Sequence, residues 1–352
     1  KRQFTHGLFT DVVSGVRRFA DFGSVARSGP AMDIFTDLVC RPPRYTYDLE
    51  SELGPSYFKI DDLLVQRKDL QVRNERKLLL QCSHYVPVNA EEYSAVVYCH
   101  GNAGSRRDAD DIVNLLLPLG ISVFTFDFSG SGMSEGELCS LGFHERGDLQ
   151  CIIRSLVENP RVTGIGVWGR SMGAATALMV AGDEELKVDA LVLDSCFLSL
   201  ESVASEIASK YIRKIPFLES WLNMGGEDGR SGVVPFLEEG IQMLRAGVLA
   251  RCAWDIKAVN PEAACDSCRV PALFLHAEGD TLVLPRHSRE LFERYAHAEK
   301  RLEVFEGDHN SVRPDKVLAH VCTFLSAKLA RADEEEKGGG EEEREGGRSS
   351  VE

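Results

Sequence analysis

From residue 77 onward the chain alternates short β-rich runs with longer stretches of helical periodicity, and this alternation restricts the fold more than any other feature. The strand candidates are KLLLQCSH (77–84), SAVVYC (94–99), ISVFTF (121–126), GIGVW (164–168), DALVLD (189–194), PALFLH (271–276) and RLEVFE (301–306). Helical stretches fall near 106–117, 143–158, 172–182, 286–297 and 314–329. The middle runs are continuously apolar, as strands covered on both faces require. Such a series predicts an α/β fold with an open, mostly parallel, doubly wound sheet. DLQVRN (69–74) is expected to pair with the first run as an antiparallel hairpin at one sheet edge.

One connection is too long for a simple crossover. Seventy-six residues (195–270) separate DALVLD from PALFLH, and they hold two amphipathic stretches, 202–215 and 235–252, joined by the glycine-rich MGGEDGRSG (224–232). Long connections in compact domains tend to be functional lids, so residues 200–260 are read as a helical cap inserted before the penultimate strand, with a peripheral insertion as the alternative. Leu218, Trp221, Leu222, Phe236, Leu237, Ile241 and Leu244 would form an acyl-chain site there, or simply pack the helices together. Residues 1–60 carry SGP, RPPR and LGPS without a clear period and read as an irregular arm, leaving 61–330 as the folded domain.

A length of 352 residues with 43% hydrophobic composition supplies a substantial core and fits a soluble globular chain. No apolar stretch is long enough for a transmembrane segment. The formal net charge of −15 disfavours nucleic acid as a partner, since polyphosphate would add repulsion. Nine acidic and four basic residues in 331–352 mark a disordered acidic tail. The first residue is Lys1, so the chain is read as a fragment or processed product, with a removed N-terminal targeting segment left open. Ten scattered cysteines suggest buried reduced thiols, and the single C-x-x-C pair, Cys265 and Cys268, reads as two loop cysteines; no metal site is expected.

The chemistry concentrates in three places. GRSMG (169–173) follows an apolar strand and opens a helix, the setting of a nucleophile elbow, where glycines flank a serine because the turn leaves no room for side chains. Ser171 is the candidate nucleophile, with Gly169 and Gly173 as the spacers. A serine needs a base, and the base an acid to orient it. In the expected chain order Asp280 follows the penultimate strand and His309 the last one, at the carboxyl edge where open α/β sheets build their sites. Asp194 is the competing acid; Asp308 is expected to point elsewhere, His276 to be structural, and His287 to lie on a helix surface. The third place is His100-Gly101-Asn102-Ala103-Gly104, where the Asn102 N–H is expected to join that of Met172 in an oxyanion hole. FDFSGSGMSEG (126–136) lacks a phosphate-binding lysine and reads as a structural loop in which Ser129, Ser131 and Ser134 cap turns.

YCHGNAGSRRDA, FTFDFSGSGMSEGE, LGFHERGDLQ, GVWGRSMGAATALM, LVLDSCF and FEGDHNSVRP together resemble the α/β-hydrolase superfamily, and within it hydrolases with a serine aminopeptidase-type domain. RPPR and HYVPV look like the plant and protist members, and the core is more distantly similar to the acyl-protein thioesterases of the alpha/beta hydrolase domain-containing protein 17 group. The acylated cysteine-rich start of those thioesterases has no counterpart here, as no cysteine precedes Cys40. The resemblance implies a serine hydrolase needing no metal or organic cofactor, acting on a small-molecule or lipid-like acyl ester or thioester, with acylated protein as a further acyl donor. A peptidase or amidase on the same triad, and a non-catalytic scaffold, are the rival readings. A cytoplasmic location is expected, with peripheral membrane association left open.

Overall fold

The computed structural model describes residues 40–41, 44–183, 185–212 and 233–330, and among these nine strands form one sheet. In chain order they are β1 (Tyr57–Ile60), β2 (Leu63–Arg73), β3 (Leu79–Pro87), β4 (Tyr93–Cys99), β5 (Ile121–Phe126), β6 (Val162–Arg170), β7 (Ala190–Asp194), β8 (Ala272–Ala277) and β9 (Lys300–Phe305). The helices are α1 (Leu49–Glu52), α2 (Asp110–Leu116), α3 (Glu145–Val157), α4 (Met172–Ala181), α5 (Leu200–Ile212), α6 (Val233–Cys252), α7 (Pro261–Cys265), α8 (Arg286–Arg294) and α9 (Asp315–Leu329).

The continuous apolar runs become strands because the sheet is covered on both faces. In β4, Ala95, Val97 and Cys99 enter one hydrophobic core while Val96 and Tyr98 enter the other, the alternation that a pleated strand imposes. Spatial order is β1-β2-β3-β5-β4-β6-β7-β8-β9. Pairing is antiparallel from β1 through β3 to β5, then parallel from β5 to β9. The α/β-hydrolase fold expected from the motifs is therefore present. From β4 the chain steps to β5 on one side and afterwards to β6 on the other. This reversal opens a crevice at the carboxyl ends of β4 and β6. Helix α4, MGAATALMVA, is buried along nearly its whole length, and its small residues allow it close against the sheet.

Three features depart from the sequence reading. DLQVRN does pair antiparallel with β3, but it is not the edge, because β1 adds a further strand across a tight turn with Asp61 at φ 51°. Phe58, Ile60 and Leu63 pack against the second core, which explains why a stretch without obvious period forms a strand there. Within the stretch read as an irregular arm, α1 also forms, capped by the Asp48 carboxylate accepting from the Ser51 N–H. Finally, of the two cysteines read as loop residues, Cys268 does lie in a loop but Cys265 ends helix α7, and both serve as packing residues. Both are fully buried, Cys265 on α7 and Cys268 with its Sγ 3.0 Å from the Tyr295 hydroxyl. Cys82, Cys99, Cys139, Cys151, Cys196, Cys252, Cys265, Cys268 and Cys322 are free thiols.

Helices α5 and α6 occupy the long connection and touch each other. Helix α5 is seated over the carboxyl end of β8: Lys210 Nζ donates to the Thr281 carbonyl at 3.2 Å, and Glu206 Oε2 lies 2.8 Å from His287 Nε2. Ile241 and Leu244 on α6 pack half-buried against the first core. The MGGEDGRSG segment with Leu218, Trp221 and Leu222, the first part of the arm, and the acidic tail lie outside the described residues. No helix among the described residues is long and apolar enough to cross a membrane.

Candidate active site

Between the end of β6 and the start of α4, Ser171 adopts φ 52° and ψ −113°, a backbone that L residues seldom enter. The glycines around it are sterically required. A Cβ at Gly169 would lie 2.3 Å from the Gly173 carbonyl oxygen, and a Cβ at Gly173 would lie 2.1 Å from the Cys99 carbonyl oxygen. The strand therefore turns into the helix with no side chain on either flank, and the serine hydroxyl is what the turn presents. The Ser171 N–H donates to the Asp194 carbonyl at 2.7 Å, tying the turn to the neighbouring strand β7.

His309, in the loop after β9, places Nε2 3.1 Å from Ser171 Oγ and Nδ1 2.6 Å from Asp280 Oδ2. A carboxylate only accepts, so Nδ1 carries the proton toward Asp280 and Nε2 is left to accept from the serine hydroxyl. Asp280 is almost wholly buried after β8, and its Oδ1 accepts from the Leu282 and Val283 N–H groups, each at 2.9 Å. Burial alone would push this carboxyl upward. The imidazoles of His276 and His309 more than offset that and hold it well below the usual carboxylate range, so it stays ionised. His276 is buried and bracing, as expected of a structural histidine: Nδ1 lies 2.7 Å from Ser288 Oγ, and Nε2 lies 2.9 Å from the Val283 carbonyl and 3.4 Å from Asp280 Oδ2.

The competing acid is otherwise engaged. Asp194 accepts both arms of the Arg313 guanidinium, Nε to Oδ2 at 2.7 Å and Nη2 to Oδ1 at 2.6 Å, and the two side chains are buried together. Asp308 closes its own turn by accepting from the Asn310 N–H at 2.9 Å and the Ser311 hydroxyl at 3.0 Å. Two arginines that the sequence reading passed over reach the His309 carbonyl: Arg170 at 3.0 Å and Arg313 at 3.4 Å. Both stand inside quoted motifs, but a charged residue in a loop motif carries no sign of which carbonyl it will find. His287, expected on a helix surface, is fully buried. Helix α5 covers it through Glu206, and its Nδ1 accepts from the Leu198 N–H at 3.3 Å.

After β4 the 100–104 turn lies against Ser171, since a Cβ at Gly101 would stand 3.8 Å from Ser171 Cβ. His100 organises it. Its Nε2 accepts from the Phe128 N–H at 3.1 Å, which leaves Nδ1–H to donate to the Gly101 carbonyl at 2.8 Å. The Gly104 N–H donates to that carbonyl at 3.0 Å, and a Cβ at Gly104 would run into the Asp108 carboxylate at 2.4 Å. Asn102 and Met172 converge on one thiol: Cys139 Sγ is 3.5 Å from Asn102 Oδ1 and 3.5 Å from Met172 Sδ. The glycine-rich loop after β5 is a brace for this turn. Ser129 donates its hydroxyl to Asp148 at 2.6 Å, Ser134 donates to the Asp127 carbonyl at 2.6 Å, and the Asp127 carboxylate accepts from the Tyr47 hydroxyl at 2.6 Å and the Arg106 N–H at 2.8 Å.

The sequence and the fold of this chain have counterparts in known proteins. The family described as Serine aminopeptidase, S33, matches residues 90–234. The uncharacterised protein YqkD of Bacillus subtilis is 29% identical over 61% of this chain and 65% of its own length. The lysophosphatidylserine lipase ABHD12 of Danio rerio is 28% identical over 58% of this chain and 48% of its own. This chain thus spans less than two thirds of the length of these relatives. Monoglyceride lipase of Rattus norvegicus is 22% identical over 72% of this chain and 88% of its own. Among solved structures, the Pyrococcus furiosus esterase Pf2001 superposes with a TM-score of 0.61 at 22% identity, covering 83% of this chain and 98% of that one, a likeness of fold.

Proposed function

We propose that this chain, a member of the α/β-hydrolase superfamily, is a serine hydrolase of the esterase and lipase kind that cleaves a carboxylic ester or thioester through an acyl-enzyme intermediate. The observation that carries the reading is the hydrogen-bonded series from Ser171 through His309 to an ionised, buried Asp280. In this reading the Ser171 hydroxyl gives its proton to His309 Nε2 as Oγ attacks the acyl carbonyl carbon. The N–H groups of Met172 and Asn102 receive the oxyanion. His309 then returns the proton to the departing alkoxide or thiolate, leaving acyl-Ser171. Water, deprotonated by the same imidazole, hydrolyses that ester and restores the serine. Asp280 keeps the imidazole in the required tautomer and stabilises its charged form.

The substrate we favour is lipid-like, because the named relatives with an activity are lipases and because helix α5 is seated over the carboxyl end of β8, beside the edge where an acyl chain would lie. A cytoplasmic enzyme meeting such a substrate at a membrane surface fits this chemistry. A fluorophosphonate probe, which reacts only with an activated serine, tests the reading. Wild type should label, and Ser171→Ala and His309→Ala should not; ester turnover should fall by about 10⁴-fold or more in the serine variant. Equal labelling of Ser171→Ala would overturn the assignment. Amide cleavage is the second reading, supported by the description of the matched family, and turnover of aminoacyl amides without turnover of simple esters would select it.

A further inference from the structure

We infer that the buried Asp194–Arg313 pair is a positioning device that sets the distance between nucleophile and base, an inference that rests on the hydrolase reading. Asp194 ends β7 and acts in two directions. Its backbone carbonyl accepts from the Ser171 N–H at 2.7 Å, and its carboxylate grips Arg313 through two parallel hydrogen bonds at 2.7 and 2.6 Å. Arg313 in turn donates to the backbone of the base-bearing loop, at the His309 carbonyl (3.4 Å) and at the Ser311 carbonyl, and its guanidinium lies over the Phe305 ring, 5.3 Å from the centroid. One residue therefore joins the turn that carries Ser171 to the loop that carries His309.

The pairing has the geometry that only arginine supplies: a planar fork that matches a carboxylate while spare N–H groups reach carbonyls. Arg170, directly before the nucleophile, donates to the same His309 carbonyl at 3.0 Å, so this backbone oxygen is held from both sides. Neither arginine is placed on the reacting atoms. Their effect passes through the His309 backbone to its ring, where small displacements matter: a shift of about 1 Å in a reacting group can lower the rate by roughly 100-fold.

The test separates holding the fold from holding the geometry. Replacing both members by apolar residues of similar size, Asp194→Leu with Arg313→Met, removes the buried charges together, an exchange that is often neutral or stabilising. It also removes the donor to His309. We expect the double variant to keep a thermal midpoint close to wild type, while its fluorophosphonate labelling rate and ester kcat fall by about 10- to 100-fold with KM changed less than about twofold. The downfield proton resonance of the His309–Asp280 hydrogen bond should weaken or shift. Arg313→Lys, which keeps the charge but not the fork, should show the same kcat loss in smaller measure and provides the second variant if the double one does not fold. A labelled wild type whose folded variants react equally fast, with the resonance unmoved, overturns this inference alone. A wild type that the probe never labels overturns the hydrolase reading and this inference with it.

Discussion

His84 shows what burial does to one titratable ring. It sits on β3 with Nε2 3.0 Å from Ser122 Oγ and its ring edge-on to Tyr93, centroids 5.6 Å apart. Burial above all, with the charges of Lys68 and Arg161 adding to it, lowers its pKa to about 3. The folded chain therefore keeps this ring neutral at pH values where the unfolded chain, with an ordinary histidine near 6.5, takes up a proton. Stability from this source is complete above pH 6.5 and is lost as pH falls toward 3, by about 2–3 kcal/mol at pH 4.5. Asp280 contributes in the same direction but only below about pH 4, where its unfolded form begins to protonate. Thermal midpoints of wild type and His84→Gln between pH 6.5 and 4.5 should thus diverge in slope, the variant being flatter; parallel curves would refute the account. At this scale Ser171, Asp280 and His309 were legible because a motif and a chain order name them. The positions of Arg313 and His287 were not, because each is decided by a partner from a distant element.

Among elements, the loop after β5 gains its shape from residues far upstream. Arg44 donates to the carbonyls of Ser131, Gly132, Ser134 and Gly136, and the Tyr47 hydroxyl donates to the Asp127 carboxylate while accepting from Arg106. Gly132, at φ 48°, lies where a Cβ would meet the Asp127 carboxylate at 2.2 Å. Tyr47→Phe removes a donor from a fully buried carboxylate and should reduce unfolding free energy by about 1–3 kcal/mol, read as a lower denaturant midpoint at unchanged slope. An unchanged midpoint would show that the loop holds itself. The strands from β4 to β8 could be read from their apolar runs, since burial on both faces leaves a compositional mark. Strand β1 and helix α1 could not, because a short edge strand and a capped single turn are stabilised by what they pack against rather than by their own periodicity.

For the whole molecule, the sheet gathers at one edge the loops that follow β4, β6, β7, β8 and β9, and so unites residues that lie far apart along the chain. Chain order and strand ends made that convergence legible; the seating of α5 on the 281–287 segment was not, since amphipathic helices announce a buried face without naming the surface that receives it. The turn at Ser171 shows what such convergence asks of the backbone. A residue held at φ 52° and ψ −113° sits in a sparsely populated region, at a cost of about 1–3 kcal/mol. Glycine occupies that region freely, so Ser171→Gly should melt ~1–3 °C above Ser171→Ala, even after the added entropy of the unfolded glycine chain is counted. Identical midpoints would mean the turn is relaxed. If the difference is found, the backbone at 171 is one that a side chain enters only under strain, and relieving that strain with glycine removes the very hydroxyl that the turn exposes.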